Sequence, residues 1–225
     1  MSDMIERLDG SREWYLNGLL HREDGPAVEY DDGTREWYRN GELHREDGPA
    51  IEYANGDRLW LRNGLRHRED GPAIEYANGD RLWFRNDQRH REDGPAIEYA
   101  NGSREWYRKG KLHREDGPAI ECADGSHYWY RNGKLHRDDG PAIEYSDGSR
   151  YWYREDLTDR RGYQFGFGRK ADGSTQYVAG CRKWPSLQAA LNHYGTKYRS
   201  SGNREECIRL LHEVASRIAK QGEME

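Results

Sequence analysis

The chain has few hydrophobic residues and almost no cysteine. Hydrophobic residues make up 34% of its 225 residues, the apolar runs are short, and only three cysteines occur, at 122, 181 and 207. Without an apolar run of about 18 residues a transmembrane helix is excluded. The three cysteines fit neither a disulfide framework nor a zinc-binding spacing. The N-terminus has no basic region followed by an apolar one, so we expect no secretory signal and a cytoplasmic protein.

The chain is instead rich in charge, aromatic residues and glycine. Charged residues make up 34% of the sequence, which together with the low hydrophobic content would ordinarily indicate disorder. The 8 tryptophans and 16 tyrosines argue against disorder, because an unfolded chain rarely carries so many. The 26 glycines indicate many turns.

The sequence repeats itself every 23 residues. Tryptophan occupies positions 14, 37, 60, 83, 106, 129 and 152; histidine occupies 21, 44, 67, 90, 113 and 136; Gly-Pro-Ala begins at 25, 48, 71, 94, 117 and 140. A fixed period between about 20 and 50 residues is typical of a solenoid or array. We therefore expect each repeat to pack mainly against its neighbours.

Each repeat contains two segments that favour β-strands, such as residues 35–39 and 50–53, which alternate with period two. Asn-Gly or Asp-Gly, as at residues 55–56, separates the second segment from the next first one and allows a tight hairpin turn. No segment before residue 185 has a helical period. These patterns predict a mainly β fold, an elongated open ribbon of antiparallel β-hairpins that ends in a small two-helix segment.

The alternation also predicts which residues contact a partner. Tryptophan and isoleucine hardly vary between repeats, which favours a stacked core, whereas the residues beside each tryptophan vary and are predicted to form a surface. Aromatic residues are common anchors of protein interfaces. The predicted partner-binding residues are Glu36, Tyr38, Leu59, Leu61, Leu82, Phe84, Glu105, Tyr107, Tyr128, Tyr130, Tyr151 and Tyr153.

The 23-residue hairpin unit, with an aromatic residue followed by Asn-Gly and a second glycine before the next hairpin, resembles the MORN repeat. Its His-Arg-Glu-Asp-Gly-Pro-Ala-Ile form is similar to the bacterial and viral variant of that repeat. The resemblance covers residues 9 to about 154 and implies an open hairpin ribbon used as a scaffold or binding surface. Some variant members are classed as antitoxins, and the family does not by itself imply an enzyme. Asp87 and Lys109 depart from the Asn-Gly pattern, so the resemblance does not predict the geometry of those two turns.

The period ends after residue 154, and the composition changes. We predict a repeat array over residues 1–160 and a C-terminal module over 161–225, which contains a last hairpin (162–179) and helices at 185–194 and 203–220. We expect the first helix to stop at Gly195 and the helices to cap the final sheet edge. The formal charge is +5 in residues 161–225 and −10 in the remainder, which indicates separate contact surfaces. Residues 179–184, with Ala189, His193 and Tyr194, resemble a phage-encoded module of unknown role.

Two groups of residues invite a chemical interpretation. The His-Arg-Glu-Asp cluster could hold a metal or act in catalysis, but it recurs in every repeat, which favours a row of ion pairs that shapes the loop. Cys181 and His193 could form a nucleophile and its base; the alternative is an ordinary thiol and a surface histidine. Cys207 lies on the apolar face of its helix, and Cys122 replaces a repeated tyrosine. We predict no catalytic residue, metal or cofactor.

Basic residues of the C-terminal module could bind nucleic acid, although a net charge of +5 favours ordinary solvated charge. The set comprises Arg169, Lys170, Arg182, Lys183, Lys197, Arg199 and Arg204 with Trp184 and Tyr198. We predict that Arg169, Lys170, Arg182 and Lys183 form a secondary contact with a protein. The acidity of the repeats argues against attraction to anionic membranes, and their mixed charge argues against DNA mimicry.

Together these patterns predict a non-enzymatic protein-binding scaffold. Both resemblances point to mobile bacterial or phage genes, so the predicted partner is a host or toxin-type protein that is inhibited, as by a phage counter-defence protein or an antitoxin, in the host cytoplasm. Two alternatives stay open. One is an enzyme centred on Cys181 and His193, and the other is a virion or assembly component.

Overall fold

A computed structural model describes residues 3–197 and 202–224. The fold is mainly β, with antiparallel hairpin repeats in open sheets and helices confined to the C-terminal part of the described chain, as predicted. The chain divides between Gly110 and Lys111 into two compact units, the N-terminal unit and the C-terminal unit. The division at residue 160 follows composition and stays a prediction. No helix among the described residues is long and apolar enough to cross a membrane.

The strands of the N-terminal unit are β1 Asp3–Glu6, β2 Arg12–Leu16, β3 Leu19–Leu20, β4 Val28–Glu29, β5 Arg35–Glu36, β6 Tyr38–Arg39, β7 Glu42–Leu43, β8 Ile51–Glu52, β9 Arg58–Leu59, β10 Leu61–Arg62, β11 Leu65–Arg66, β12 Ile74–Glu75, β13 Arg81–Leu82, β14 Phe84–Arg85, β15 Gln88–Arg89, β16 Ile97–Glu98, β17 Arg104–Glu105 and β18 Tyr107–Arg108. Its main sheet has the spatial order β1-β2-β4-β5-β8-β9-β12-β13-β16-β17, antiparallel throughout. Short hairpins such as β6–β7 extend each repeat beyond this sheet.

The strands of the C-terminal unit are β19 Lys111–Leu112, β20 Ile120–Glu121, β21 His127–Tyr128, β22 Tyr130–Arg131, β23 Lys134–Leu135, β24 Ile143–Glu144, β25 Arg150–Thr158, β26 Gln164–Arg169, β27 Thr175–Ala179 and β28 Arg182–Trp184. The helices are α1 Leu187–Lys197, α2 Gly202–Glu213, a π-helical turn Val214–Ala219, and α3 Lys220–Met224. The sheet of this unit has the order β20-β21-β24-β25-β26-β27-β28.

Two kinds of turn join the strands, and residues that tolerate positive φ form both. Asn40 and Gly41 have φ of 52° and 82°, the geometry of a two-residue hairpin turn. Asp87 and Lys109 form the corresponding turns with φ of 62° and 51°, although neither has the usual Asn-Gly residue. At the other turns only the glycine has positive φ; the amide of Thr34 is held by Asp32 at 2.8 Å.

The register of the N-terminal sheet separates two faces. One cross-strand row alternates in charge without interruption; it runs Arg12, Glu29, Arg35, Glu52, Arg58, Glu75, Arg81, Glu98, Arg104. We call this side the charged face. Because neighbouring strand residues point to opposite sides, the row Glu13, Val28, Glu36, Ile51, Leu59, Ile74, Leu82, Ile97, Glu105 belongs to the other side, which we call the tyrosine face.

The core of each repeat is small. Ala50, Ile51 and Leu61 form one buried cluster, and Ala73, Ile74 and Phe84 form the next. Each cluster combines the Ala-Ile pair of one repeat with a side chain of the following hairpin. Burial therefore links each repeat to the next, as the 23-residue period predicts.

The largest core lies in the C-terminal unit. Trp152, Phe165 and Phe167 of the sheet pack against Leu210 and Leu211 of α2, with Cys207 and Ile218 also in this cluster. The helices therefore cover a face of β25–β27. The prediction was narrower, since it placed them only at the final edge of the sheet. The prediction that α1 stops at Gly195 is also wrong, because α1 continues to Lys197.

Candidate functional site

A row of tyrosines is the most exposed aromatic feature of the repeats. Tyr30, Tyr53, Tyr76 and Tyr99 of the N-terminal unit are 41%, 40%, 40% and 36% exposed, one in each repeat. Each lies two residues after a buried valine or isoleucine, at the end of its strand and on the tyrosine face. The sequence does not single out these residues as a surface, because an invariant tyrosine is equally typical of a packed core. Their place at the strand end, beside a turn, was the available signal.

Half-buried glutamates and tyrosines lie beside this row. The hydroxyl of Tyr38 donates to Glu36 at 2.9 Å, and that of Tyr30 lies 3.4 Å from the same carboxylate. Tyr107 and Glu105 repeat the pair at 2.8 Å. Burial and then the hydrogen bond to Glu105 raise the pKa of Tyr107 to about 12, so its phenol stays protonated and donates at neutral pH.

The next repeats replace this polar pair with an apolar one. Leu59 and Leu61 stand at the positions of Glu36 and Tyr38, and Leu82 and Phe84 stand there in the following repeat. Leu61 and Phe84 are buried. Within the N-terminal unit the two positions thus change together, because the glutamate accepts the hydrogen bond of the tyrosine hydroxyl and a leucine in its place could not. In the C-terminal unit Tyr128 and Tyr151 stand at the position of the glutamate.

This coupling corrects part of the predicted contact surface. Leu61, Phe84, Tyr151 and Tyr153 are buried and cannot contact a partner. The variation at Leu61 and Phe84 reflects packing of the pair, and Tyr151 and Tyr153 are buried in a cluster with Ile143 and Val178. The half-buried members of the set are Glu36, Tyr38, Leu59, Leu82, Glu105, Tyr107, Tyr128 and Tyr130.

The repeated tryptophans before Trp152 are half-buried rather than enclosed in a core, and of these Trp60 packs against the cluster that contains Ile74, as predicted. The guanidinium carbon of Arg45 lies 4.1 Å from the ring centroid of Trp37, which is half-buried on the charged face. Arg22 lies in the same way over Trp14 at 4.0 Å. Trp152 alone among the tryptophans of the described repeats is buried, beneath the C-terminal helices.

Each of these arginines organises its loop. Arg45 donates to Asp47 at 2.9 Å, to the carbonyl of Pro49 at 3.3 Å and to Glu52 at 3.2 Å. A Cβ at Gly48 would lie 2.7 Å from the Arg45 guanidinium carbon, so any other residue there would displace the arginine from this position. The hydrogen bond from Arg45 lowers the pKa of the Asp47 carboxyl. The Arg-Glu-Asp residues of each loop thus form ion pairs that fix the shape of the loop, as the ion-pair interpretation predicted.

The histidines tie each repeat to the next hairpin. The backbone N–H of Asn63 donates to Nδ1 of His44 at 3.2 Å, and Asn40 does the same to His21 at 3.1 Å. The side-chain amide of Asn63 also lies 2.8 Å from Nδ1 of His44, and an amide oxygen there would need Nδ1 as the donor. The backbone bond decides between the two, because a backbone N–H can only donate and Lys109 forms the same bond to His90 without a side-chain amide. Nδ1 is therefore the acceptor, the asparagine turns its NH2 group toward it, and the neutral ring carries its proton on Nε2. Within the described residues no group of three or more His, Cys, Asp or Glu side chains could hold a metal ion.

The predicted basic contact residues of the C-terminal unit do not form one patch. Arg182 lies 2.6 Å from His193 of α1, whereas the Lys183 ammonium lies 5.3 Å from the Tyr151 ring, on the other side of the sheet. Arg169 pairs in register with Thr175, at the opposite end of β27 from the partner of Arg182. Lys170 is exposed in the following turn. Of the wider basic set, Tyr198 and Arg199 lie outside the described residues.

Cys181 and His193 are not joined by a hydrogen bond in the described chain. Cys181 is exposed in the turn between β27 and β28. His193 instead contacts Arg182 and the rings of Trp184 and Tyr194. Cys207 is buried, as its helical position predicted, and burial raises the pKa of its thiol.

Comparison with known proteins adds no relative to this description. A scan against protein-family models gave no match, and a search of the curated proteins gave none either.

Proposed function

We propose that this protein is a non-enzymatic scaffold that binds another protein through its tyrosine face. The observation that carries the proposal is the row of exposed tyrosines, which recurs once per repeat on one side of a sheet. Tyrosine offers a large amphipathic surface with few rotatable bonds, and it is among the residues most enriched at protein interfaces. On this face the half-buried Leu59 and Leu82 lie between two polar positions, Glu36 in an earlier repeat and Glu105 in a later one.

The repetition suits an extended contact. Adjacent strands lie about 4.8 Å apart, so the tyrosines of successive repeats are spaced by roughly 10 Å along the sheet. Several equivalent contacts can then act together, which raises the total affinity without any single strong contact. The resemblance to the MORN-repeat variant favours the same use and, more specifically, inhibition of a host or toxin-type protein.

The test uses affinity capture from bacterial lysate with the full chain as bait. We expect one stoichiometric protein partner, which is lost when Tyr53 and Tyr76 are both changed to alanine. Tyr163→Ala is the matched control, because Tyr163 is 50% exposed and lies outside this face. Equal capture by both variants, or recovery of RNA or DNA in place of a protein, would contradict the proposal. An activity assay of the captured protein, with and without the scaffold, then tests inhibition.

A further inference from the structure

A second kind of surface lies between successive His-Arg-Glu-Asp loops of the N-terminal unit. One groove of about 620 Å³ separates the loop that contains His21 and Glu23 from the loop that contains His44 and Glu46, and Trp37 lines it. A groove of about 590 Å³ recurs between the loops at residues 68–72 and 90–93, with Trp83 in the corresponding place. These grooves are built mainly from the loops and tryptophans of the charged face, and the first is also lined by Tyr38.

The groove exposes mainly negative charge. The Glu23 side chain is 91% exposed, and Asp24, Glu46 and Asp47 are also exposed. Arg22 and Arg45 line the groove as well, but both are mostly buried against tryptophan and already paired. The exposed cation of this groove is Arg39, 3.7 Å from Glu46. Asp24 and Asp47 are the partners of those two arginines, so the groove as a whole holds four carboxylates and three guanidiniums, an excess of one negative charge.

A buried donor without a partner lies in the same groove. The side chains of His21 and His44 are 8% and 9% exposed, and their Nε2 atoms have no hydrogen-bond partner. The closest carboxylate oxygens, of Glu23 and Glu46, lie 3.8 Å and 3.5 Å away. In later repeats this atom has a partner: Nε2 of His90, which lines the second groove, lies 3.4 Å from Glu92, and Nε2 of His136 lies 3.2 Å from Asp138. Since Nδ1 is the acceptor, each unpartnered Nε2 carries a proton and needs an acceptor.

We infer that these grooves bind an extended basic peptide segment. Arginine or lysine side chains of the segment pair with the exposed glutamates of the loops, since the aspartates already pair with Arg22 and Arg45, and the neighbouring tryptophan favours guanidinium and ammonium groups. A peptide carbonyl can supply the acceptor that the histidine lacks, once the glutamate turns outward to the cation. The ligand is therefore a peptide, because a small polyamine would bring cations but no carbonyl.

The repeat spacing defines the order of cations along the segment. Two strands per repeat place successive grooves roughly 10 Å apart. A polyproline II segment advances about 3.1 Å per residue with three residues per turn, so every third side chain points the same way at roughly 9 Å intervals. The matching ligand therefore carries arginine or lysine at every third position.

The experiment compares two synthetic peptides of identical composition by fluorescence anisotropy, with the full chain at physiological ionic strength. The spaced peptide consists of four consecutive Arg-Pro-Pro units, and the clustered peptide places its four arginines together before its eight prolines; both are acetylated and amidated at their ends. We expect the spaced peptide to bind about tenfold more tightly, the effect of about 1.4 kcal/mol.

Two triple variants of the protein locate the binding. The triple variant Glu23→Gln, Glu46→Gln, Glu69→Gln should lose about that factor. The control triple Glu6→Gln, Asp31→Asn, Glu42→Gln makes the same change in charge at exposed residues outside the grooves and should bind like the wild type.

Equal affinity for the two peptides, equal loss in the two triple variants, or no binding would overturn the inference, since the first two results indicate general attraction between opposite charges. Circular dichroism checks that both triples fold. Should the groove triple unfold, NMR of the wild type decides. The inference requires that the spaced peptide shifts the imidazole signals of His21 and His44, and unchanged signals refute it. Loss of the tyrosine-face partner would leave this result unaffected.

Discussion

Single residues of the tyrosine face are coupled in pairs two positions apart on one strand. Glu36 accepts a hydrogen bond from Tyr38, while Leu59 and Leu61 replace both in the next repeat. The sequence shows that both positions vary but not that the two side chains are in contact, because that contact depends on strand geometry. A variable position thus looked like a free surface although one member of each apolar pair is buried.

We predict that the polar pair can be transplanted. Leu61→Tyr alone should destabilise the fold by about 1–3 kcal/mol, because its hydroxyl would lack an acceptor. Adding Leu59→Glu should recover about 1 kcal/mol of that loss, because the glutamate accepts the hydrogen bond. Chemical denaturation of the four members of this double-mutant cycle measures the coupling. A coupling near zero would show that the two side chains act independently.

At the scale of elements, the hairpin turns carry the strain of the repeats. Lys109 has φ of 51° at a position where Asn40, Asn63 and others stand in equivalent turns. Asparagine tolerates this conformation better than lysine does. The lysine turn still forms, because its backbone N–H donates to His90 at 3.2 Å, as the equivalent asparagines do to their histidines.

Lys109→Asn should therefore stabilise the protein by about 0.5–1 kcal/mol, by relief of backbone strain. The thermal midpoint of this variant is compared with that of Lys134→Asn. Lys134 is an exposed strand residue without positive φ, so it serves as the control. The control should be neutral or slightly destabilising, because asparagine is disfavoured in strands. If both variants gain equally, loss of a positive charge explains the effect instead.

These elements show how far the sequence could be read. The Asn-Gly dipeptides and the period-two segments located the hairpins, because turn chemistry is local. The face of the tryptophans could not be read in this way: a tryptophan beneath Arg45 and one in a hydrophobic core would repeat equally faithfully. The four basic residues expected to act together were separated by strand register, which composition does not specify.

At the scale of the whole molecule, the repeated arginine–aspartate pairs link stability to pH. Hydrogen bonds from arginine lower the pKa of six equivalent carboxyls, at Asp24, Asp47, Asp70, Asp93, Asp116 and Asp139. A lowered pKa in the folded state contributes stability that is present above the unfolded value and lost as the pH falls through the folded one. The unfolded value for aspartate is about 3.9.

We accordingly expect these pairs to contribute fully at neutral pH and to lose their contribution progressively below about pH 4. Thermal midpoints measured from neutral pH down to strongly acidic buffer should fall in that range. The double variant Asp47→Asn, Asp93→Asn should show a shallower fall, and Asp31→Asn, at an exposed turn residue, should follow the wild type. If the thermal midpoint of the double variant falls with pH just as that of the wild type does, these pairs are not the cause of the acid sensitivity.

The bonds that join one repeat to the next have a consequence for the gene. Asn40 bonds to His21, Asn63 bonds to His44, and the amides of Gly41 and Gly64 bond to the carbonyls of Leu20 and Leu43 in the same way. An exchange between misaligned copies that removes or adds a whole number of 23-residue repeats, at three nucleotides per residue, would therefore rejoin the chain with the same junction, whereas a fraction of a repeat would not. The number of tyrosines and grooves presented to partners is then free to change in whole steps, without any new interface having to arise.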